Sequence, residues 1–543
     1  MRLLVIGLDG ATFDLIKPWT AQEELPTLKM LMENGVHSDL ISTIPPVSSP
    51  AWPSFMTGKN PGKHGIFDFV GRSDGYSREI RNASDIKAKT FWKLLSEEGK
   101  MCIVVNVPVT YPPEEIKGCI TTGMLTPPNA CYVYPPEIYE ELKKICYIPS
   151  VEGEEIRRKT SPEQILDYLV GVASRRVEAV FYLMKKFDWD FCMIVFSGTD
   201  AIQHNLWQHH RKKILQYYKK VDTLIKELIN KAGSKTNIIL ISDHGFGPVY
   251  KAFHINYFLH KLGLLEFKTE GRSGDYVKVK DYRSAKGKLE RILFKLGITK
   301  EIVYTTAKKM HMLWILQKMY KKLYIKIPTT KKAIDWKKTK VFYNSTIGPA
   351  PSLEINLEGR EPEGIVKKEE YAKLREFIIS ELLKVKDPET GRKIVQDAFR
   401  RGDIYHGPYV SEAPDITFLT NNFEYSATER VYGDSLVSEP VHKGRGAHRM
   451  NGIFIAYGPD IKNTGEELKK ARIIDLAPTI LHMFSLEVPE DMDGKVLTYI
   501  FKPDSPIAKR PKKYRKITEK ERVRKRIRRL KKLQRKVTRR NIY

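Results

Sequence analysis

Five short runs of apolar, largely β-branched residues, each broken off by a polar residue, set the strongest limit on what this chain can fold into. They are RLLVIGLDG (2–10), CIVVNVPVT (102–110), CMIVFSGTD (192–200), NIILISDHG (237–245) and GIFIAYGPD (452–460). Near-continuous apolar strands of this kind belong in a sheet covered on both faces. Helical stretches separate the earlier runs, one of them opening at Ser161-Pro162 with Gln164 at the capping-box position. The expected fold is therefore α/β, a mostly parallel central sheet with helices on both faces. In such sheets ligands gather beyond the carboxyl ends of the strands, which is where the polar residues of these runs fall.

At 543 residues the chain calls for one large α/β domain with an inserted or appended module. The charge shows where the modules lie. Of the formal +28, residues 507–543 hold 19 Lys/Arg against 2 Glu, and residues 266–340 hold 21 against 7, so the remainder carries −3. The expected division is a core in two parts, 1–265 and 341–506, a Lys-rich helical insertion at 266–340 that caps the site, and a basic tail at 507–543. In the tail, Thr518 and Glu521 form a capping box, and Val523, Ile527, Leu530, Leu533 and Val537 recur at helical spacing. Two readings of it stand: a solvated charge run, or a basic C-terminal helix on an anionic surface, either nucleic-acid phosphates or a membrane leaflet. The five cysteines are too far apart for a Cys-x-x-Cys metal site and odd in number, which points to reduced thiols and a cytoplasmic protein, peripheral at an anionic surface if the tail binds one. MRLLVIGLDG reads as a first strand instead of a signal peptide. No apolar run reaches the roughly 18 residues of a spanning helix.

The residues that end strands form a constellation: Asp9, Asp200 with His204, Asp243 with His244, and His448 just before GIFIAYG. Three carboxylates and three imidazoles make two mixed O/N sites for divalent cations, a set suited to Zn²⁺ and tolerable for Mn²⁺. Asp200 and His204 are one helical turn apart and aim at one ion. Asp243 and His244 converge only through a sharp turn, which Gly245 and Gly247 permit. His209 and His210 read as exposed helix residues.

In IGLDG, PPVSSPAWPSFMTGKNPGKHGI, TDAIQH, SDHGFG, GAHRMNGIF and IDLAPTILHMFSLEVPEDMDGKVL the chain resembles the alkaline phosphatase superfamily, closest to its type I phosphodiesterase/nucleotide pyrophosphatase branch. The resemblance spans roughly residues 1–262 and 341–500. It implies an alkaline phosphatase-like fold and two metals with a nucleophilic hydroxyl between them. One metal takes Asp200, His204 and His448; the other takes Asp9, Asp243, His244 and the nucleophile. The family's nucleophile lies two residues before a proline, here Pro50, which implies Ser48, with Ser49 as N-cap and Pro50 at the first helical position. Coordination lowers the serine pKa, two cations stabilise an in-line displacement, and a phosphoserine forms and is cleared by water. One departure stands out: the family's phosphodiesterases place an Asn shortly after HGI, where this chain has Phe69, and Lys59, Lys63, Lys443 and Arg445 are nearby cations in sequence. The implied function is a two-metal phosphohydrolase cleaving a phosphodiester or pyrophosphate bond in a small phosphate ester. A phosphomonoesterase or phosphotransferase on the same site, or a metal-holding polyanion-binding protein without turnover, are the alternatives.

Overall fold

The computed structural model of the chain describes residues 1–516 apart from 73–75, 152–153, 269–333, 345–347, 349, 430–434 and 441–445. The five apolar runs all enter one ten-stranded sheet. Arg2–Leu8 runs through its middle, parallel to Phe191–Phe196 on one side and to Thr236–Ile241 on the other. Beyond Phe191–Phe196 come Cys102–Val107 and Gly118–Thr122, both parallel. On the opposite flank Asn451–Tyr457 pairs antiparallel with Thr236–Ile241 and with Val36–Ile41. That one reversal positions the site. Phe454 lies opposite Ile241 and Ser242 N–H donates to the Ile453 carbonyl at 2.9 Å, so the start of this strand sits at the carboxyl end of its neighbour. A residue that precedes it thereby meets residues that follow the others.

Alternation along the central strand divides the core. Leu4, Ile6 and Leu8 pack with residues of the helices Pro162–Lys186 and Arg211–Ala232, while Leu3 and Val5 pack with Trp52, Phe55, Leu476 and Ile480 on the other face. The mostly parallel sheet covered by helices on both faces is as expected. So is the start of the long helix, where Ser161 accepts a hydrogen bond from the Gln164 N–H and Pro162 takes the first position.

Two expectations need correction. The second part of the core, from residue 341, does not begin in the central sheet. Val341–Tyr343, Ser352–Ile355, Ile416–Thr420 and Val395–Arg400 form a separate four-stranded antiparallel sheet, with Leu353, Ile355 and Phe418 packed against Ile378 and Leu382 of the Lys368–Lys384 helix. Short strands with a half-exposed face, such as Val395–Arg400, suit an antiparallel layer and not the doubly covered centre. The tail does not come away at 507 either. Ser505 caps a Pro506–Lys509 turn, Ile507 is buried in the core, Arg510 donates to the His482 and Met483 carbonyls, each at 2.9 Å, and Tyr514–Arg515 pairs with Val488–Pro489.

The two ends of the Lys-rich insertion lie side by side, Asp335 N–H donating to the Glu266 carbonyl at 2.8 Å. Most of that insertion, the Thr518–Glu521 capping box and the Val523–Val537 stripe lie outside the described residues. Among the described residues no helix is long and apolar enough to cross a membrane. Because Ile507 is fully packed, Ile507→Ala should cost about 2–5 kcal/mol in urea unfolding. A tail detachable from residue 507 would instead leave the unfolding midpoint unchanged.

Candidate active site

Asp9 follows the central strand and is wholly buried. The chain turns at Gly10, whose φ of 66° lies in the left-handed region and whose added Cβ would stand 2.8 Å from Asp200 Oδ1, so glycine alone fits. Gly10 N–H donates to Asp243 Oδ1 at 3.3 Å. Asp9 Oδ2 accepts from Trp52 Nε1 at 3.2 Å, and Oδ1 accepts from the Ser48 hydroxyl at 3.3 Å. Ser48 Oγ is also 3.1 Å from His244 Nε2.

Ser48 opens the Ser48–Thr57 helix instead of preceding it. Val47 is the N-cap, in extended backbone, and its carbonyl accepts the first helical bond from Ala51 N–H at 3.0 Å. The expected Ser49 cap is therefore displaced: Ser49 holds the second helical position and Pro50 the third. A capping hydroxyl must precede the first turn, and Ser49 is already inside it. Its Oγ is buried with no hydrogen-bond partner. The N–H groups of Ser48 and Ser49 have no carbonyl one turn back to donate to, which leaves them as donors at the helix mouth.

Asp200 and His204 lie on the Gly198–Leu206 helix, with His204 Nε2 3.4 Å from Asp200 Oδ1. His448 Nε2 comes within 3.5 Å of the same oxygen and 2.8 Å of His204 Nε2. The outer ring nitrogens fix which way the imidazoles present themselves. His448 Nδ1 donates to the Pro46 carbonyl and His244 Nδ1 to that of Gly245, both at 3.0 Å, so Nε2 is the nitrogen each ring turns inward. His244 Nε2 then faces Asp243 Oδ2 at 3.3 Å and Asp9 Oδ1 at 3.7 Å. The glycines after His244 act through space and not through conformational freedom: neither has a positive φ, and a Cβ on Gly245 would stand 2.0 Å from the Asn451 carbonyl oxygen.

These are acceptors facing acceptors. Asp200 Oδ1 and Asp243 Oδ2 are buried without a hydrogen-bond donor. Burial, followed by the charge of Asp200, pushes the Asp243 carboxyl up, and burial, followed by the charge of His448, holds His244 well below the usual imidazole range. Burial also opposes the Asp200 anion, but His204 and His448 outweigh it and hold this carboxyl well below the carboxylate range. Divalent cations satisfy such a set, and the chemistry of the donors fits them. Asp200, His244 and His448 offer ligand atoms within 4.8 Å of one another, as do Asp9, Asp243 and His244. His244 thus belongs geometrically to both groups, its ring stacked on His448 with centroids 3.7 Å apart.

The family model described as type I phosphodiesterase / nucleotide pyrophosphatase matches residues 3–450. The chain belongs to that family. No curated protein matches it. Among solved structures, phosphonoacetate hydrolase from Sinorhizobium meliloti 1021 in complex with phosphonoformate is 14% identical over 88% of this chain and 94% of that one, with a TM-score of 0.50. Murine ectonucleotide pyrophosphatase / phosphodiesterase 5 is 12% identical over 92% of this chain and 100% of its own, with a TM-score of 0.49. The fold is alkaline phosphatase-like.

Some family-motif residues take other roles here. Lys59 and Lys63 pair with Asp491 and Asp493, each at 2.5 Å, and so fasten the C-terminal segment. Phe69 donates its N–H to Asp68 Oδ1 and accepts from Arg81 N–H, at the base of a short hairpin. His209 and His210 are exposed. Lys443 and Arg445 lie outside the described residues. Trp52, Thr199 and Pro46 were not singled out in sequence, yet Trp52 and Thr199 bond Asp9, the latter through its hydroxyl to the Asp9 carbonyl at 2.6 Å. Only the position of Trp52 within SSPAWPSF signalled it. Since the Ser49 hydroxyl satisfies nothing, Ser49→Ala should change unfolding free energy by less than about 0.5 kcal/mol, or raise it. A loss of 1 kcal/mol or more, as for a true cap, would restore the capping role.

Proposed function

We propose that this family member is a phosphohydrolase that cleaves a phosphodiester or pyrophosphate bond through a phosphoserine at Ser48, with Asp9, Asp200, His204, Asp243, His244 and His448 holding two divalent cations. The observation that carries the reading is the placement of Ser48 Oγ, 3.3 Å from Asp9 Oδ1 and 3.1 Å from His244 Nε2, at the first residue of a helix. Bound cations, Zn²⁺ by the donor set, would lower the pKa of the serine hydroxyl and neutralise charge on the phosphoryl oxygens.

The chain's own residues do the rest. The N–H groups of Ser48 and Ser49 at the helix mouth receive a phosphoryl oxygen, and the helix dipole favours its charge. Trp52 and the Gly10 N–H hold the Asp9 and Asp243 carboxylates in place from outside. The Pro46 and Gly245 carbonyls do the same for His448 and His244. Ser48 attacks phosphorus in line with the leaving oxygen, giving a phosphoserine that keeps the substrate's remaining ester group, and water then clears it. The odd number and wide spacing of the five cysteines support a cytoplasmic setting. The basic residues beyond 516, 13 Lys/Arg against 2 Glu, supply a polyanion-binding arm whose hold weakens steeply with salt.

Ser48→Ala should lower turnover of bis(p-nitrophenyl) phosphate by about a thousandfold or more while bound metal stays unchanged. Acid quenching of wild type with a labelled substrate should place the phosphoryl label on Ser48 by peptide mass spectrometry. A label on Ser49, or Ser48→Ala turnover within tenfold of wild type, would refute the assignment.

A further inference from the structure

A cavity of about 510 Å³ opens at the far end of the Ser48–Thr57 helix, between the 83–94 segment, the loop after Cys102–Val107 and the C-terminal segment around Pro489–Met492 and Arg515. Its lining reaches the helix at Met56, about 12 Å along the axis from Ser48 at 1.5 Å per residue, and includes none of the metal-site residues. The volume falls within the range that holds a small molecule.

The wall is cationic. Lys59, Lys87, Lys89, Lys93 and Arg515 line it, against Glu114 and Asp491. Glu114 Oε2 accepts from the Thr90 hydroxyl at 2.7 Å and from Trp92 Nε1 at 3.1 Å, Asp491 and Lys59 pair with each other, and Lys89 pairs with Glu97 at 2.8 Å. Lys87 and Lys93 donate to the Ser84 and Glu115 carbonyls, so the excess of charge comes from Lys87, Lys93 and Arg515 over Glu114. Apolar surface from Met56, Ile86, Leu94 and Met492 completes the lining. The loop side adds a second observation. Val109, whose side chain is β-branched, has a φ of 62°, in the left-handed region that such residues avoid. Backbone strain of this kind persists where the surroundings hold it in place, and it clusters at ligand sites.

We propose that this cavity is a binding site, separate from the metal cluster, for a small organic dianion with an apolar body. The excess of positive side chains selects the charged head, and the methionine and leucine surface takes the body. The proposal does not rest on the phosphohydrolase reading.

The test uses the wild-type full chain and lysine acetylation read by peptide mass spectrometry, with phenylphosphonate and phthalate as probes and benzyl alcohol as the neutral control. Both dianions should slow labelling of Lys87 and Lys93 at least fivefold, while exposed Lys143 and Lys144 keep their rates; protection by phenylphosphonate alone would narrow the head group to a phosphoryl type. The Lys87→Ala/Lys93→Ala variant should weaken phenylphosphonate binding at least tenfold, and Lys93→Arg should retain it. Unchanged labelling of Lys87 and Lys93 under saturating probe, or equal protection by benzyl alcohol, would overturn the proposal.

Discussion

Buried acceptors that face one another are the constraint on which the rest of this structure depends. Asp9, Asp200 and Asp243 converge with inward-facing imidazole nitrogens, and Asp200 Oδ1 and Asp243 Oδ2 are buried with no hydrogen-bond donor. Leaving such groups unsatisfied costs several kcal/mol each. The surrounding bonds make the convergence rigid without relieving it. They tie Asp9, Asp243, His448 and His244 from behind, through Trp52, the Gly10 N–H and the Pro46 and Gly245 carbonyls, and so aim their remaining polar atoms at a common space.

The scaffold delivers those groups by topology. The parallel strands present their carboxyl ends along one edge of the sheet, and one reversed strand presents its start there. His448 can therefore join Asp243 although it precedes its strand. The Ser48–Thr57 helix begins at this edge and ends at the cationic cavity, so its two ends serve different chemistries.

Much of this was legible in sequence because strand-ending acids and histidines keep their spacing in the fold. Asp200 and His204 sit one turn apart on a helix, and the apolar runs become the sheet. The errors have local physical causes. Ser49 satisfies the sequence pattern of a cap, but Val47 takes the extended conformation and moves the helix start back past it. Ile507 and Arg510 are isolated anchors in a basic segment, and packing of one side chain leaves no periodicity to read. The antiparallel sheet of Val341–Tyr343 to Ile416–Thr420 is built from strands too short to separate from loop by pattern alone. Gly245 was read as permitting a sharp turn, whereas the nearby Asn451 carbonyl is what demands it.

The central claim is that the acceptor cluster exists to hold cations, and metal analysis of the purified chain tests it most directly. Inductively coupled plasma mass spectrometry on protein dialysed against trace Zn²⁺ should find two ions per chain, with one lost in Asp200→Asn and the same loss in His448→Ala. Turnover should disappear on chelation and return with Zn²⁺. A chain that hydrolyses a phosphodiester at full rate with less than one tenth of an ion bound would contradict the account.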